Sequence, residues 1–515
     1  MNKTMTKSME EVKVVFLGDD SRGAEKVIAY LKSNDDLCQQ TPSKAFDGFD
    51  ATLTLGVRDL RIHFWNLCQS HVPSPLHRLF MTGHTIYVVM ADAENDREKY
   101  WLNEINWYAP DSQVLTIYNQ TAHLLQTEES LEAFVRICPA LLRRIRLDVH
   151  IGDKDAIRNK FWIPLVCSIQ DIAARRAAVP ESWYHVRKQL DILERDYISG
   201  EVFRMICSQW GVDGNEEIRK LTAWLNEWGV CFGGTDAKQD LVVLRSRWLI
   251  KGASALLFRE DSGRINGNYT LKELLRMRKV SLRQRLMGQK EYEIQELSFI
   301  LSALCNVDVC IRHHENDGVF IPIHAAYREQ LSLGDRELPV LRMDWHGPSE
   351  LILHRLMARM ERSVIWEYCA RNRAVVIHKM GTHIGIEARG ELLYFFVDCP
   401  GAEKDYLEAL ERIIQVLDDL CVRQRLHMPE LMIVYRDGDK EELFDFDRLM
   451  FIKENGSGAV YSSVLGRAID VDDILQLPRH QKQHKHKLCQ TVANACTQMQ
   501  SDRCGQRRKI SANVS

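Results

Sequence analysis

Along the first third of the chain, short apolar runs alternate with helix-length amphipathic segments. The run Val12–Leu17 is apolar at five of six positions and reads as a buried strand. Leu60–Trp65, Thr85–Ala91 and Val114–Tyr118 repeat that character. Strands spaced by helices imply a parallel sheet with helices on both faces. Between the first strand and a helix carrying Val27, Ile28 and Leu31 on one face lies the turn Gly18-Asp19-Asp20-Ser21-Arg22-Gly23. Past residue 179 the pattern changes. Pro180 stops one helix and Ser182 can cap the next. Helices follow near Trp183–Glu194, Gly200–Trp210 and Ile218–Trp228, then a ribbon at Val230–Gly233 and Leu241–Leu244. Beyond a helix at Glu291–Leu304, strand-like runs stand at Pro339–Trp345, Ala374–His378, Ile384–Ala388, Leu392–Val397 and Leu431–Tyr435. Helices at Leu351–Trp366 and Tyr406–Cys421 interrupt them, the second with an apolar stripe through Leu410, Ile413, Leu417 and Leu420 that reads as core. The fold class expected is α/β, mostly parallel, followed by an antiparallel α+β part.

Composition narrows the classes of function. A chain of 515 residues, 45% hydrophobic, has material for several cores. A net charge of −3 gives no global case for nucleic-acid binding. The amino terminus carries no apolar signal region, and there is no apolar run long enough to span a membrane. The 14 cysteines include no C-x-x-C pair, which reads as reduced thiols in a cytoplasmic protein.

Strand, glycine turn and helix form the scaffold of a phosphate-binding loop. That loop needs G-x-x-x-x-G-K-[S/T], with backbone N–H groups and a Lys for the phosphates and a hydroxyl for Mg²⁺. Gly18 and Gly23 have the spacing, but the Lys position is Ala24 and the hydroxyl position is Glu25. Lys26 is two residues on, roughly 200° away around the helix. In such sheets ligands sit at the carboxyl ends of strands. After Trp65, where D-x-x-G would hold Mg²⁺ and the γ-phosphate, the chain has Asn66 and Gln69 in place of the Asp and Gly. After Tyr118, where N-K-x-D would read guanine, Asn119 is kept and the Asp is Ala122.

The surrounding text resembles the Roc domain of Roco proteins. Trp65, His77, Phe80 and Thr82, then Thr85–Ala93, then Tyr100–Ile105 and Asp111-Ser112 agree in order with Roc scaffold positions. Val179-Pro180-Glu181-Ser182-Trp183 is similar to the opening of the COR domain, and Trp248-Leu249 and Val319–His324 continue the likeness. The resemblance implies a Roc-like domain at 11–178 after a short extension at 1–10. It also implies a winged-helix-like COR half at 179–305 and an α+β COR half at 306–436. An appendage at 437–477 and a basic, disordered tail at 478–515 complete the expected order.

It further implies a non-catalytic scaffold or regulatory protein, homodimeric through COR, with a protein partner of unknown identity. In that reading no cofactor is expected. The remnants of the nucleotide site are Gly18, Asp19, Asp20, Ser21, Arg22, Gly23, Ala24, Glu25, Asn66, Gln69, Asn119 and Ala122. A divergent Roco switch that still holds GTP or GDP with Mg²⁺ is the alternative. The helix–ribbon text also fits a winged-helix DNA-binding regulator, although the segment lacks a basic recognition helix. Other groupings carry less chemistry. Cys68 near His71 lacks an orienting third group. His313-His314-Glu315 lacks metal-ligand spacing, and the tail histidines His480, His484 and His486 are an incidental polar run.

Overall fold

The computed structural model describes residues 10–43, 46–56, 58–68, 74–91, 97–118, 131–147, 154–175, 179–233, 241–258, 267–270, 273–274, 292–312, 318–327, 341–345, 349–360, 365–369, 373–379, 382–398, 403–423, 429–456 and 458–474. They form two units, 1–312 with 316–321, and 313–315 with 322–515.

The first unit begins with a seven-stranded sheet. Its elements in chain order are β1 (Glu10–Gly18), α1 (Ser21–Lys32), β2 (Leu37–Pro42), β3 (Gly48–Leu55) and β4 (Arg58–Asn66). After a 3₁₀ turn (Ser74–Phe80) come β5 (Ile86–Ala91), α2 (Glu98–Tyr108), β6 (Gln113–Tyr118), α3 (Leu131–Ile137) and β7 (Leu141–Arg146). Then α4 (Lys154–Ile157) runs through a π-helical turn (Arg158–Trp162) into α5 (Ile163–Arg175). The strand order is β2-β3-β4-β1-β5-β6-β7. Strands β4, β1, β5, β6 and β7 are parallel, while β3 runs antiparallel to both β2 and β4. Alternation along β1 sorts the two faces. Val12, Val14 and Phe16 join Ala24, Val27 and Leu31 of α1 and Leu165 and Ile169 of α5 in one core. Val15 and Leu17 point the other way, into a core with Trp101 and Leu102 of α2. A strand buried on both faces must be apolar almost throughout, which is why β1 reads as a continuous run. Lys13 falls on the second face, fully buried.

That second core does not stop at the sheet. It continues through Phe80 of the 3₁₀ turn to Phe232, Leu241, Trp248, Leu249, Ile300 and Leu304 of the helical segment. This segment comprises α6 (Glu181–Ile192), β8 (Tyr197–Ser199), α7 (Gly200–Gln209), α8 (Asn215–Glu227), β9 (Phe232–Gly233), β10 (Leu241–Val243), α9 (Ser246–Leu257), β11 (Asn268–Tyr269) and α10 (Ile294–Asn306). Strands β12 (Ile311–Arg312) and β13 (Val319–Phe320) follow it. A small antiparallel sheet, β8-β10-β9, closes over a separate core of Val186, Leu190, Phe203, Leu221 and Leu225.

The second unit is a seven-stranded antiparallel sheet, β15-β16-β17-β18-β14-β19-β20. Its elements are β14 (Leu341–Asp344), α11 (Ser349–Arg359), β15 (Ile365–Cys369), β16 (Ala374–Lys379), β17 (Thr382–Arg389) and β18 (Leu392–Asp398). Helix α12 (Glu403–Arg423) precedes β19 (Leu431–Asp437) and β20 (Lys440–Asp445). Helices α11 and α12 touch each other and β17, and α12 buries Ile413, Leu417 and Leu420. Helix α13 (Phe446–Glu454), the hairpin β21 (Ala459–Ser462) with β22 (Arg467–Asp470), and α14 (Val471–Ile474) end the described chain.

Two expectations at the level of elements are corrected. The helix foreseen from Leu351 to Trp366 ends at Arg359, and Ile365–Cys369 is a strand, because its alternating apolar and aromatic residues pair along β16. Ser182 does not cap α6, because Pro180 holds the cap position and Ser182 lies inside the first turn. Strands β2, β3 and β7 were not foreseen.

Candidate functional site

The carboxyl ends of β1, β4 and β5 meet at Gly18, Asn66 and Met90. Gly18 has φ +126°, and a Cβ there would stand 2.2 Å from the Met90 carbonyl oxygen. The glycine is therefore required by the approach of β1 to β5, whatever the loop binds.

The turn read at 18–23 is shorter than its spacing suggests. Helix α1 starts at Ser21, so Ser21, Arg22 and Gly23 form its first turn. The cause is Asp20, a good N-cap residue placed three before Gly23. Its Oδ1 accepts from the Gly23 N–H at 2.8 Å, and its carbonyl accepts from the Ala24 N–H at 3.1 Å. The Ser21 N–H donates to the Asp19 carbonyl at 3.1 Å, and the Asp19 and Asp20 N–H groups donate to the Met90 carbonyl at 3.1 and 3.3 Å. Gly23 leaves room for the capping side chain, not for backbone. A Cβ at 23 would stand 2.1 Å from Asp20 Oδ2. A phosphate loop keeps such amides turned outward to cradle an anion. Here the chain's own carboxylate occupies the end of the helix where an anion would dock.

The side chains agree with this geometry. Ala24 is fully buried against the apolar core beneath α1, so its Cβ points away from the loop, and Glu25 and Lys26 are exposed. Asp19 is held by α2, accepting from Arg97 at 3.0 Å and from the Trp101 indole N–H at 3.2 Å. Asp20 Oδ2 is buried without a hydrogen-bond partner. The mouth of the loop is thus lined by two carboxylates. Asn66 is buried, and its Oδ1 accepts from the Cys68 N–H at 3.1 Å, holding the chain after β4 in a turn. Burial pushes the Cys68 thiol well up, and the Asp20 and Asp19 carboxylates add to the rise. Cys68 is therefore a protonated, buried thiol and not a nucleophile.

Gly18 to Glu25 and Asn66 are thus brought to one place. Gln69, Asn119 and Ala122 lie outside the described residues, as do His71, His313-His314-Glu315 and the tail histidines. Among the described residues no cluster has metal-ligating composition, and no helix is long and apolar enough to cross a membrane. Sequence reading missed Arg97, Trp101 and Met90, which act from other strands and helices. It could have found the cap, since Asp20 three residues before Gly23 is a helix-start signature.

Residues 180–324 match the sequence model of the family described as C-terminal of Roc, COR-A domain. Among solved structures the chain is similar to the structure of Methanosarcina barkeri Roco2 RocCORdC bound to GDP. The TM-score is 0.51 at 19% sequence identity, covering 61% of this chain and 96% of that one. No curated protein sequence matches the chain.

Proposed function

The chain joins a Roc-type fold to a COR-A domain, the Roc–COR arrangement of the Roco family, and we propose that it works as a nucleotide-free scaffold or regulator. The observation that carries this reading is the closed loop. The Asp20 carboxylate caps α1 through the Gly23 N–H, and Ala24, at the position the loop motif gives to Lys, is buried in the apolar core. A triphosphate would have to displace that carboxylate and sit beside Asp19 without a Lys. Charge-assisted contacts of this kind are worth several kcal/mol each. Every 1.4 kcal/mol lost is about tenfold in affinity. Phosphoryl transfer, which rests on positioned metal and charge, is lost with them. Protein purified without added nucleotide and then denatured should release no guanine nucleotide on chromatography. Stoichiometric GDP in the released fraction would defeat the proposal.

A second reading keeps the chain as a divergent switch that holds GTP or GDP. It is favoured by the GDP bound to the Methanosarcina protein and by the retained glycine frame. A role in reading DNA is disfavoured by α8, whose last carbonyl, that of Glu227, accepts from the buried Lys13 amine at 2.6 Å. That helix end is occupied within the protein. In the scaffold reading the chain is a homodimer through its COR part and presents that dimer to a protein partner. Light scattering of the full chain at micromolar concentration should give twice the monomer mass, and a monomer would contradict it.

A further inference from the structure

The face of the Roc sheet that meets COR-A carries a polar stripe across three strands. Glu11 and Lys13 of β1, Asp50 of β3 and Arg61 and His63 of β4 lie on it, with Lys13 beside His63 and Asp50 opposite His63 in the register. His63 is buried. Its Nδ1 is hydrogen-bonded to Asp50 Oδ1 at 2.9 Å, while its buried Nε2 stands 3.6 Å from Glu11 Oε2, a charge contact beyond hydrogen-bond distance. Two elements of COR-A close over it. Arg187 of α6 donates to Glu11 at 2.5 Å. Trp228, just past α8, has its ring centroid 5.3 Å from the imidazole. Lys13 seats the same helix end by donating to the Glu227 carbonyl, and Arg61 pairs with Asp50 at 3.2 Å.

Each carboxylate therefore has an arginine on its outer side and the imidazole between them. With the proton, His63 adds a positive charge between the two carboxylates that Arg61 and Arg187 hold from outside. Without it, the arginine pairs remain, but the attraction that draws Glu11 and Asp50 towards the ring between them is lost. We propose that His63 is a proton-operated pin for the joint between the Roc sheet and the COR-A helices: its charged form ties Glu11 and Asp50 together beneath the end of α8, and loss of the proton loosens that seat. The inference does not depend on whether nucleotide binds.

Burial works against the charged ring, but the bond to Asp50 and the charges of Asp50 and Glu11 outweigh it and raise its pKa above the ordinary 6.5. The stabilisation is fully present below the unfolded value and is lost as pH rises through the higher folded value. The joint thus loosens on alkalinisation.

The test uses the full chain. A charged imidazole quenches a neighbouring indole, so the emission difference between wild type and Trp228→Phe should rise with pH, with a midpoint above 6.5. The melting temperature should fall by roughly 3 °C per pH unit across that midpoint. Both responses should vanish in His63→Gln. An identical pH response in His63→Gln, or a midpoint at or below 6.5, overturns the proposal. Should His63→Gln fail to fold, Asp50→Asn provides the same decision. Removing one carboxylate should lower the midpoint by about one pH unit or more, and an unchanged midpoint overturns the pin.

Discussion

At the scale of single residues, the closed loop turns on Asp20, Gly23 and Ala24. The sequence showed which nucleotide-binding side chains were gone. It did not show that the loop itself had been replaced by a turn of helix. That difference depends on which amide the Asp20 carboxylate takes, a choice made in three dimensions. It has a consequence for any attempt at repair. Ala24→Lys restores the motif on paper, yet position 24 faces the core shared by Val27, Leu31 and Leu165. A long amine there must be buried or must force α1 outward. The variant should lose about 2–4 kcal/mol of stability in urea titration and should still give no calorimetric signal with GTP. Wild-type stability together with nucleotide binding in Ala24→Lys would show that the loop opens freely.

At the scale of elements, one ion pair joins the 3₁₀ turn to α2 and another joins β1 to α6. Arg78 of the 3₁₀ turn is buried against Glu104 of α2 and also donates to the Asp308 carbonyl after α10, at 3.3 Å. Arg78→Met leaves Glu104 as a buried charge without this arginine and should cost about 3–5 kcal/mol. Arg78→Met with Glu104→Leu should recover most of that loss, because an apolar pair of similar volume needs no desolvation of charge. A double variant as unstable as the single one would show that the carbonyl contact, not the charge pair, dominates. Glu11 gives a prediction with pH. Burial opposes its charged form, but the nearby His63 and the charge and hydrogen bond of Arg187 hold its pKa down, from 4.5 to about 2. Its contribution is present above pH 4.5 and fades as pH falls towards 2. Glu11→Gln should accordingly flatten the acid limb of the stability profile, measured as melting temperature against pH. Strands such as β1 and β5 were legible because burial on both faces makes them continuously apolar. Strand β3 reads only as alternation within GFDATLTL, and β7 carries three arginines in six residues, so its polar edge hid it.

At the scale of the whole molecule, the informative feature is the core that runs from Val15, Leu17 and Phe80 in the Roc sheet to Trp248, Leu249 and Ile300 in COR-A. A nucleotide switch moves the segment after its second motif. Here the 3₁₀ turn Ser74–Phe80 contributes Leu76 and Phe80 to a shared core and is bolted through Arg78, and Tyr108 of α2 donates to the Val307 carbonyl at 2.8 Å. This arrangement suits a sheet that serves as a platform for COR-A. The resemblance to Roc and COR was legible because scaffold positions such as Trp65 and Trp183 are large and hard to replace. The joint was not, since it is made by residues some 200 positions apart, such as Lys13 and Glu227.

The central claim is that this Roc fold holds no nucleotide. It is tested most directly by calorimetric titration of the full chain with GTP and with GDP, each with and without Mg²⁺. The expected result is no binding heat up to millimolar nucleotide. Micromolar, magnesium-dependent binding would contradict it. It would mean that the Asp20 cap opens and that another side chain supplies the charge missing at Ala24.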